Sequence, residues 1–207
     1  MDLTAFFLKA FLSLLAIMNP FASVPVVVSL TAEYGVKDVK KVAFKAALYA
    51  FFILLFFLFT GDLLFKFMGI TLPSFKVGGG ILLFLIAISL VQGEVAKEKG
   101  GHQEIEAALQ RDNIALIPLA MPLLAGPGAI TTVLVLRASV HRPEELLTLV
   151  LALACASAVC FAVYAGSGFI YRLLGRSGVS FISRVSGILL LAVSVQFITE
   201  GLKVLLK

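Results

Sequence analysis

Six long apolar stretches alternate with polar connections along the chain. They run from about Thr4 to Leu30, Val42 to Thr60, Phe75 to Val91, Asn113 to Ala138, Leu146 to Gly166 and Ile182 to Val204. An apolar run of about 20 residues suffices to cross a hydrocarbon core of about 30 Å, so each stretch predicts one transmembrane helix. The second continues as an amphipathic end through Phe67, and the fifth has a tail through Leu174. Pro73 punctuates the chain ahead of the third. Polar residues from Glu33 to Lys41 form the first connection. A longer one, Gln92 to Asp112, has mixed charge, and its Glu104 to Gln110 part predicts a short surface helix.

Two of the six stretches carry a paired interruption. Asn19-Pro20-Phe21-Ala22-Ser23-Val24-Pro25 lies inside the first, and Met121-Pro122-Leu123-Leu124-Ala125-Gly126-Pro127-Gly128 inside the fourth. A proline within a helix removes one hydrogen bond and clashes with the preceding turn. Two prolines five positions apart, with small residues between them, predict a helix opened for several residues. In lipid an opened backbone survives only where protein buries it or where it lines a cavity.

The interruptions belong to a repeat. Pro20 and Pro25 recur as Pro122 and Pro127, Lys66 and Gly69 as Arg172 and Gly175, and Lys76-Val77-Gly78-Gly79 as Arg184-Val185-Ser186-Gly187. Three crossings per half is an odd number, so the second half enters the membrane from the opposite side. The expected fold is therefore an all-α polytopic membrane protein of six transmembrane helices, arranged as two inverted three-helix repeats. The first and fourth helices are broken at mid-membrane. Repeat one covers about 1–92, a connecting loop about 93–112, and repeat two about 113–207, all in one membrane domain. Inverted repeats are a common plan of secondary transporters, with the site at the repeat interface near the midplane.

Composition and charge agree with this class. Of the 207 residues 60% are hydrophobic and only 14% charged, well beyond an ordinary soluble domain. A net charge of +5 does not imply a nucleic-acid partner here, because Lys and Arg sit mostly at segment ends, where they anchor to headgroups. Lys66, Lys76, Arg172 and Arg184 are read as such anchors. More Lys and Arg fall on the side of the first, third and fifth connections, which by the positive-inside rule places both termini outside. No signal peptide is expected, since the N-terminus lacks a basic region and its apolar run continues into the proline motif. Cys155 and Cys160, on one apolar segment, are read as small apolar filler.

A mid-membrane break supplies free N–H groups where one half-helix begins and free carbonyls where the other ends. Two facing breaks offer both signs without a charged side chain, as a zwitterion requires. Ala22, Ser23, Ala125, Gly126, Gly128 and Ala129 leave room, while Asn19, Ser23, Thr131 and Thr132 add neutral oxygens. The candidate substrate-binding residues are thus Asn19, Pro20, Ala22, Ser23, Pro25, Pro122, Ala125, Gly126, Pro127, Gly128, Thr131 and Thr132. Backbone amides near Gly126 and Gly128 are expected to take the carboxylate, and Asn19 with nearby carbonyls the ammonium or a cation. Gly78, Gly79, Gly80, Gly187 and Gln196 are candidates for gating or packing. Prolines in membrane helices often produce only kinks, and small residues often serve only close packing.

No Asp or Glu falls at mid-segment; Asp62, Glu94 and Glu200 come nearest. A buried carboxylate relay is not evident, which favours Na+ over H+ as a coupling ion. No metal cluster and no Ser–His arrangement can be assembled, so neither an enzyme nor a resident cofactor is expected.

The stretch Asp112-Asn113-Ile114-Ala115-Leu116-Ile117-Pro118-Leu119-Ala120-Met121-Pro122-Leu123-Leu124-Ala125-Gly126-Pro127-Gly128-Ala129-Ile130-Thr131-Thr132-Val133 resembles the signature of the MarC/SnatA family of six-helix integral membrane proteins. Asn19-Pro20 with Pro25, the Gly78-Gly79-Gly80-Ile81-Leu82-Leu83 run, and Val195-Gln196-Phe197-Ile198 with Gly201 are similar too. The resemblance covers nearly the whole chain. It implies a multi-pass protein of the cytoplasmic (inner) membrane that resembles transporters, some members being described as ion-driven carriers of small neutral amino acids. The expected function is a secondary transporter for glycine- or alanine-like substrates by alternating access. A passive channel for small polar solutes and a non-transporting membrane scaffold are the alternatives. A homo-oligomer is compatible with the apolar outer faces.

Overall fold

The computed structural model describes residues 2–31, 34–92 and 114–206. The expected surface helix Glu104 to Gln110 lies outside the described residues. So does nearly all of the connecting loop.

The first stretch folds as two helices. α1 (Leu3–Met18) starts at Asp2, whose side chain accepts from the Thr4 N–H at 3.3 Å. It ends at Asn19, in the left-handed region with φ 38° and ψ 65°. Pro20 forces this end, because the residue before a proline is excluded from helical geometry, and asparagine tolerates the left-handed alternative. A tight turn follows, with Ser23 N donating to Pro20 O (3.2 Å) and Val24 N to Phe21 O (3.1 Å). α2 (Val24–Leu30) then begins, carrying Pro25 in its first turn, where its missing N–H costs nothing. The 16 residues of α1 make about 24 Å at 1.5 Å per residue. That falls short of a hydrocarbon core on its own.

α3 (Val36–Met68) and α4 (Leu72–Gln92) are continuous. At 33 residues, α3 starts earlier than its apolar run and continues past it. Hydropathy marks where lipid ends and not where helical hydrogen bonding ends. Gly69, at φ 66°, terminates α3. α5 (Ala115–Leu124) is irregular: its turns are widened, with Leu119 N reaching Ile114 O (3.4 Å) and Ala125 N reaching Ala120 O (2.8 Å). Ile117 and Met121 are fully extended, and each precedes a proline, as the steric rule requires. The fourth stretch is therefore opened from Ile117 onward, earlier than the Met121 expected from its proline pair, because Pro118 acts as a third breaker. α6 (Pro127–Ala138) resumes regular helix.

α7 (Pro143–Ala165) is capped by Glu145, whose Oε2 accepts from the His141 N–H (2.8 Å) and the Arg142 N–H (3.3 Å). α8 (Ser167–Leu205) contains one break, at Gly175 with φ 61°. Among the described residues, four segments are long and apolar enough to cross a membrane: Val36–Gly61, Leu72–Gln92, Pro143–Ala165 and Ser180–Leu205. α1 and α6 are shorter apolar helices. The outward face of α3 carries Phe44, Phe52, Phe56 and Phe59, each more than half exposed, a surface suited to lipid and not to water.

α4 and α8 share the most extensive helix–helix interface. They run antiparallel, with Gly80 against Ile198 and Ser194, Gly201 against Pro73 and Val77, and Gly187 against Leu90 and Val91. Small residues let the two backbones approach, which is how helices associate in lipid without a hydrophobic driving force. α1 packs on α7, and α5 on α3. α2 packs on α8, and α6 on α4, α3 and α1.

Candidate functional site

The two interruptions meet inside this bundle. The first is enclosed: Asn19 is 1% exposed and Ser23 0%, with Pro20 and Ala22 also buried and Pro25 half-buried. Asn19 Oδ1 accepts weakly from the Ala22 N–H at 3.4 Å. In an unbroken helix residue 20 would donate to the Ala16 carbonyl. Pro20 has no N–H to give.

The second interruption is more open on one side. Ala125 and Gly128 are buried, Gly126 half-buried and Pro127 exposed. Gly126 is extended (φ −74°, ψ 174°), and among the described residues no side chain caps α6. A Cβ on Gly128 would lie 2.8 Å from Ile17 Cδ1 and 3.1 Å from Leu83 Cδ2. The first turn of α6 therefore sits against the last turn of α1, which brings the two breaks side by side. The positive end of one half-helix adjoins the negative end of another.

Of the two threonines, Thr132 donates its hydroxyl to the Gly128 carbonyl of its own helix at 2.9 Å. Thr131 lies with its methyl against Gly79. Among the candidate gating or packing residues, Gly79, Gly80 and Gly187 are buried at helix contacts, and Gly78 is exposed with nothing within 4 Å of its Cβ position. Pro122 stands in the irregular backbone of α5.

A cavity of about 430 Å³ adjoins the first break, between α1 and α8. Small-molecule sites commonly fall in this size range. Its polar lining is Lys9, Ser13, Asn19, Ser186 and Gln196, and its apolar lining includes Ala16, Phe21 and Phe197. From α6 it takes only Leu136. The small residues of the second break lie outside this wall.

Two polar groupings have no counterpart in the sequence reading. Lys76 is only 17% exposed and donates to Glu200 Oε2 at 2.8 Å, while Gln196 donates to Glu200 Oε1 at 2.8 Å. Lys76 thus ties α4 to α8 and does not act as a simple headgroup anchor. Tyr164 of α7, 0% exposed, stands beside Ser23 of the first break. Its signal was a lone phenol in an apolar segment; nothing local pointed to its partner. No group of three or more His, Cys, Asp or Glu side chains that could hold a metal gathers among the described residues.

The family model described as MarC family integral membrane protein matches residues 4–206. The chain belongs to the MarC family. This MarC protein is 68% identical over 201 residues to a UPF0056 membrane protein of Aquifex aeolicus, covering 97% of this chain and 94% of the relative. It is 40% identical over 203 residues to a UPF0056 membrane protein of Methanocaldococcus jannaschii, with 98% of each covered. Against the UPF0056 membrane protein YhcE of Escherichia coli it is 34% identical over 197 residues, covering 95% of this chain and 92% of the relative. No solved structure matches. These names establish an integral membrane protein and carry no substrate.

Proposed function

We propose that this MarC protein is a secondary transporter of small neutral amino acids, working by alternating access and coupled to an ion gradient. The observation that carries the reading is the meeting of two interrupted helices, Gly128 against Ile17, beside a cavity that reaches Asn19. Half-helix ends at such a junction provide both signs of partial charge in an apolar surround. The small residues Ala22, Ala125, Gly126 and Gly128 limit the ligand to a small one. Na+ held by neutral oxygens is the proposed coupling ion, in an inner-membrane protein with six crossings.

Packing supports the inverted repeat behind this proposal. α1 lies on α7 as α5 lies on α3, and α2 on α8 as α6 on α4. These pairs exchange when the halves exchange. Other pairs do not: α1 also packs on α6 and α8, whereas α5 has no comparable packing on α2 or α4, and α6 packs on α3 more extensively than α2 on α7. Such a mismatch is expected of a carrier held open toward one side, its opposite state being reached by exchanging the roles of the halves.

Liposome counterflow tests the reading. Protein loaded with unlabelled glycine is expected to accumulate labelled glycine, more strongly with a Na+ gradient than without. Unsaturable leakage would make it a channel, and no flux of any amino acid by folded protein would remove transport altogether. Gly126→Leu is expected to abolish exchange at near-normal expression, because the Gly126 backbone is in a region open to any residue. Full exchange in that variant would move the substrate away from the second break.

A further inference from the structure

Three buried polar atoms around the first break have no hydrogen-bond partner among the described residues: Asn19 Nδ2, Ser23 Oγ and the Tyr164 hydroxyl. Each belongs to a side chain no more than 1% exposed. Native proteins leave few such groups unpaired, since an unsatisfied buried donor forfeits its hydration with nothing in return. Two of the three are on a turn that lipid cannot reach, and the third, from α7, stands beside it. The Ser23 and Tyr164 hydroxyls interact with one another, in a geometry short of a full hydrogen bond.

The chemistry of the three atoms is one-sided. Asn19 Oδ1 is occupied by the Ala22 N–H, which fixes the amide and leaves Nδ2 as a donor without an acceptor. A hydroxyl both donates and accepts, and with one of the pair turned toward the other the pair still offers a proton. That proton and Nδ2 match the two oxygens of one carboxylate. An ammonium group would find no use for Nδ2. Of the three, Asn19 stands on the wall of the 430 Å³ cavity, so the approach is through Asn19. At the other break, Gly128 is covered by Ile17 and Leu83.

We propose that Asn19, Ser23 and Tyr164 together hold the carboxylate of the substrate, with Tyr164 as a ligand-binding residue contributed by α7. This rests on the transport reading above and reverses the polarity expected from the sequence, in which Asn19 faced the ammonium. The ligand class is a small carboxylate-bearing solute, and Asn19 Nδ2, which can only donate, is the atom that discriminates it from an amine without a carboxylate.

The test combines ligand-dependent melting with exchange, in Tyr164→Phe and Ser23→Ala. Glycine is expected to raise the melting temperature of the wild type; acetate is expected to compete, methylamine not. Tyr164→Phe is expected to weaken glycine binding about tenfold to a hundredfold, the usual worth of a hydrogen bond to a charged group. Without ligand, its melting temperature should stay close to the wild type's, because the substitution removes only the imperfect contact with Ser23. A purely structural hydroxyl would behave oppositely: ligand-free melting would fall, and glycine affinity would hold. That result overturns the assignment, as does unchanged glycine binding in Tyr164→Phe. Competition by methylamine and not acetate would return the ammonium to the first break. If no amino acid shifts the wild-type melting or exchanges, the transport reading and the assignment fall together. Wild-type exchange that survives intact in Tyr164→Phe removes the assignment alone.

Discussion

Gly201→Ala is expected to lower the melting temperature of the protein by several degrees. A Cβ at this position would lie 2.7 Å from the Pro73 carbonyl oxygen and 3.2 Å from the Val77 nitrogen. Both are backbone atoms of α4, so no side-chain rotation relieves the contact. The helices must separate, and overpacking of this kind costs about 1–3 kcal/mol. Gly80→Ala is expected to act alike, since its Cβ would meet Ile198 N and Ser194 O at 3.0 Å. Gly78→Ala is the control. Nothing lies within 4 Å of its Cβ position, and alanine is the better helix former by about 1 kcal/mol, so its melting temperature should hold or rise. Thermal melts in detergent would show the opposite signs. A Gly201→Ala protein as stable as the wild type would mean that α4 and α8 do not approach as described.

Removing Glu200 is expected to destabilise the protein more than removing Lys76. The two side chains are 17% exposed for Lys76 and 39% for Glu200. In Lys76→Ala the carboxylate keeps Gln196 as a donor and partial access to solvent. In Glu200→Ala the more buried ammonium loses its carboxylate in an apolar surround. A loss of about 1–3 kcal/mol lies between the values for exposed and buried pairs. Exchanging the charges, Lys76→Glu with Glu200→Lys, should recover part of the loss, because the pair would re-form across the same two helices. Equal losses in the two alanine variants, with no recovery on exchange, would reduce the contact to two independent surface charges.

The spans of α4 and α7 follow the apolar runs to within a few residues, because a hydrocarbon core imposes a minimum length on anything that crosses it. The helix interruptions were equally local. Pro20 and Pro25 fix where α1 stops and α2 starts through covalent chemistry that no tertiary contact overrides. The same chemistry at Pro118 opens α5 earlier, and Pro118 has no proline opposite it in the first half to mark it. Pairings across the bundle were not legible. Lys76 and Glu200 are 124 residues apart, and Tyr164 and Ser23 are farther apart still. A charge near a segment end looks like an anchor until the opposing helix is known, and a tyrosine in an apolar run looks like core. The two helix breaks were thus legible from their prolines, while the hydroxyl contributed by Tyr164 of α7 depended on packing that single-chain patterns do not encode.

Gly69 and Gly175 recur at matching places in the sequence and both have positive φ, 66° and 61°, Gly69 in the left-handed helical region with ψ 21° and Gly175 extended with ψ −175°. Neither has any atom within 4 Å of its Cβ position. Room is therefore plentiful where tolerance should be narrow. Substitutions at these two corners should rank by chirality and not by volume: at Gly69 asparagine least harmful, alanine next and valine worst; at Gly175, a conformation open essentially to glycine, every L-residue harmful; and a synthetic D-alanine harmless at both. Handedness, not space, sets these two corners.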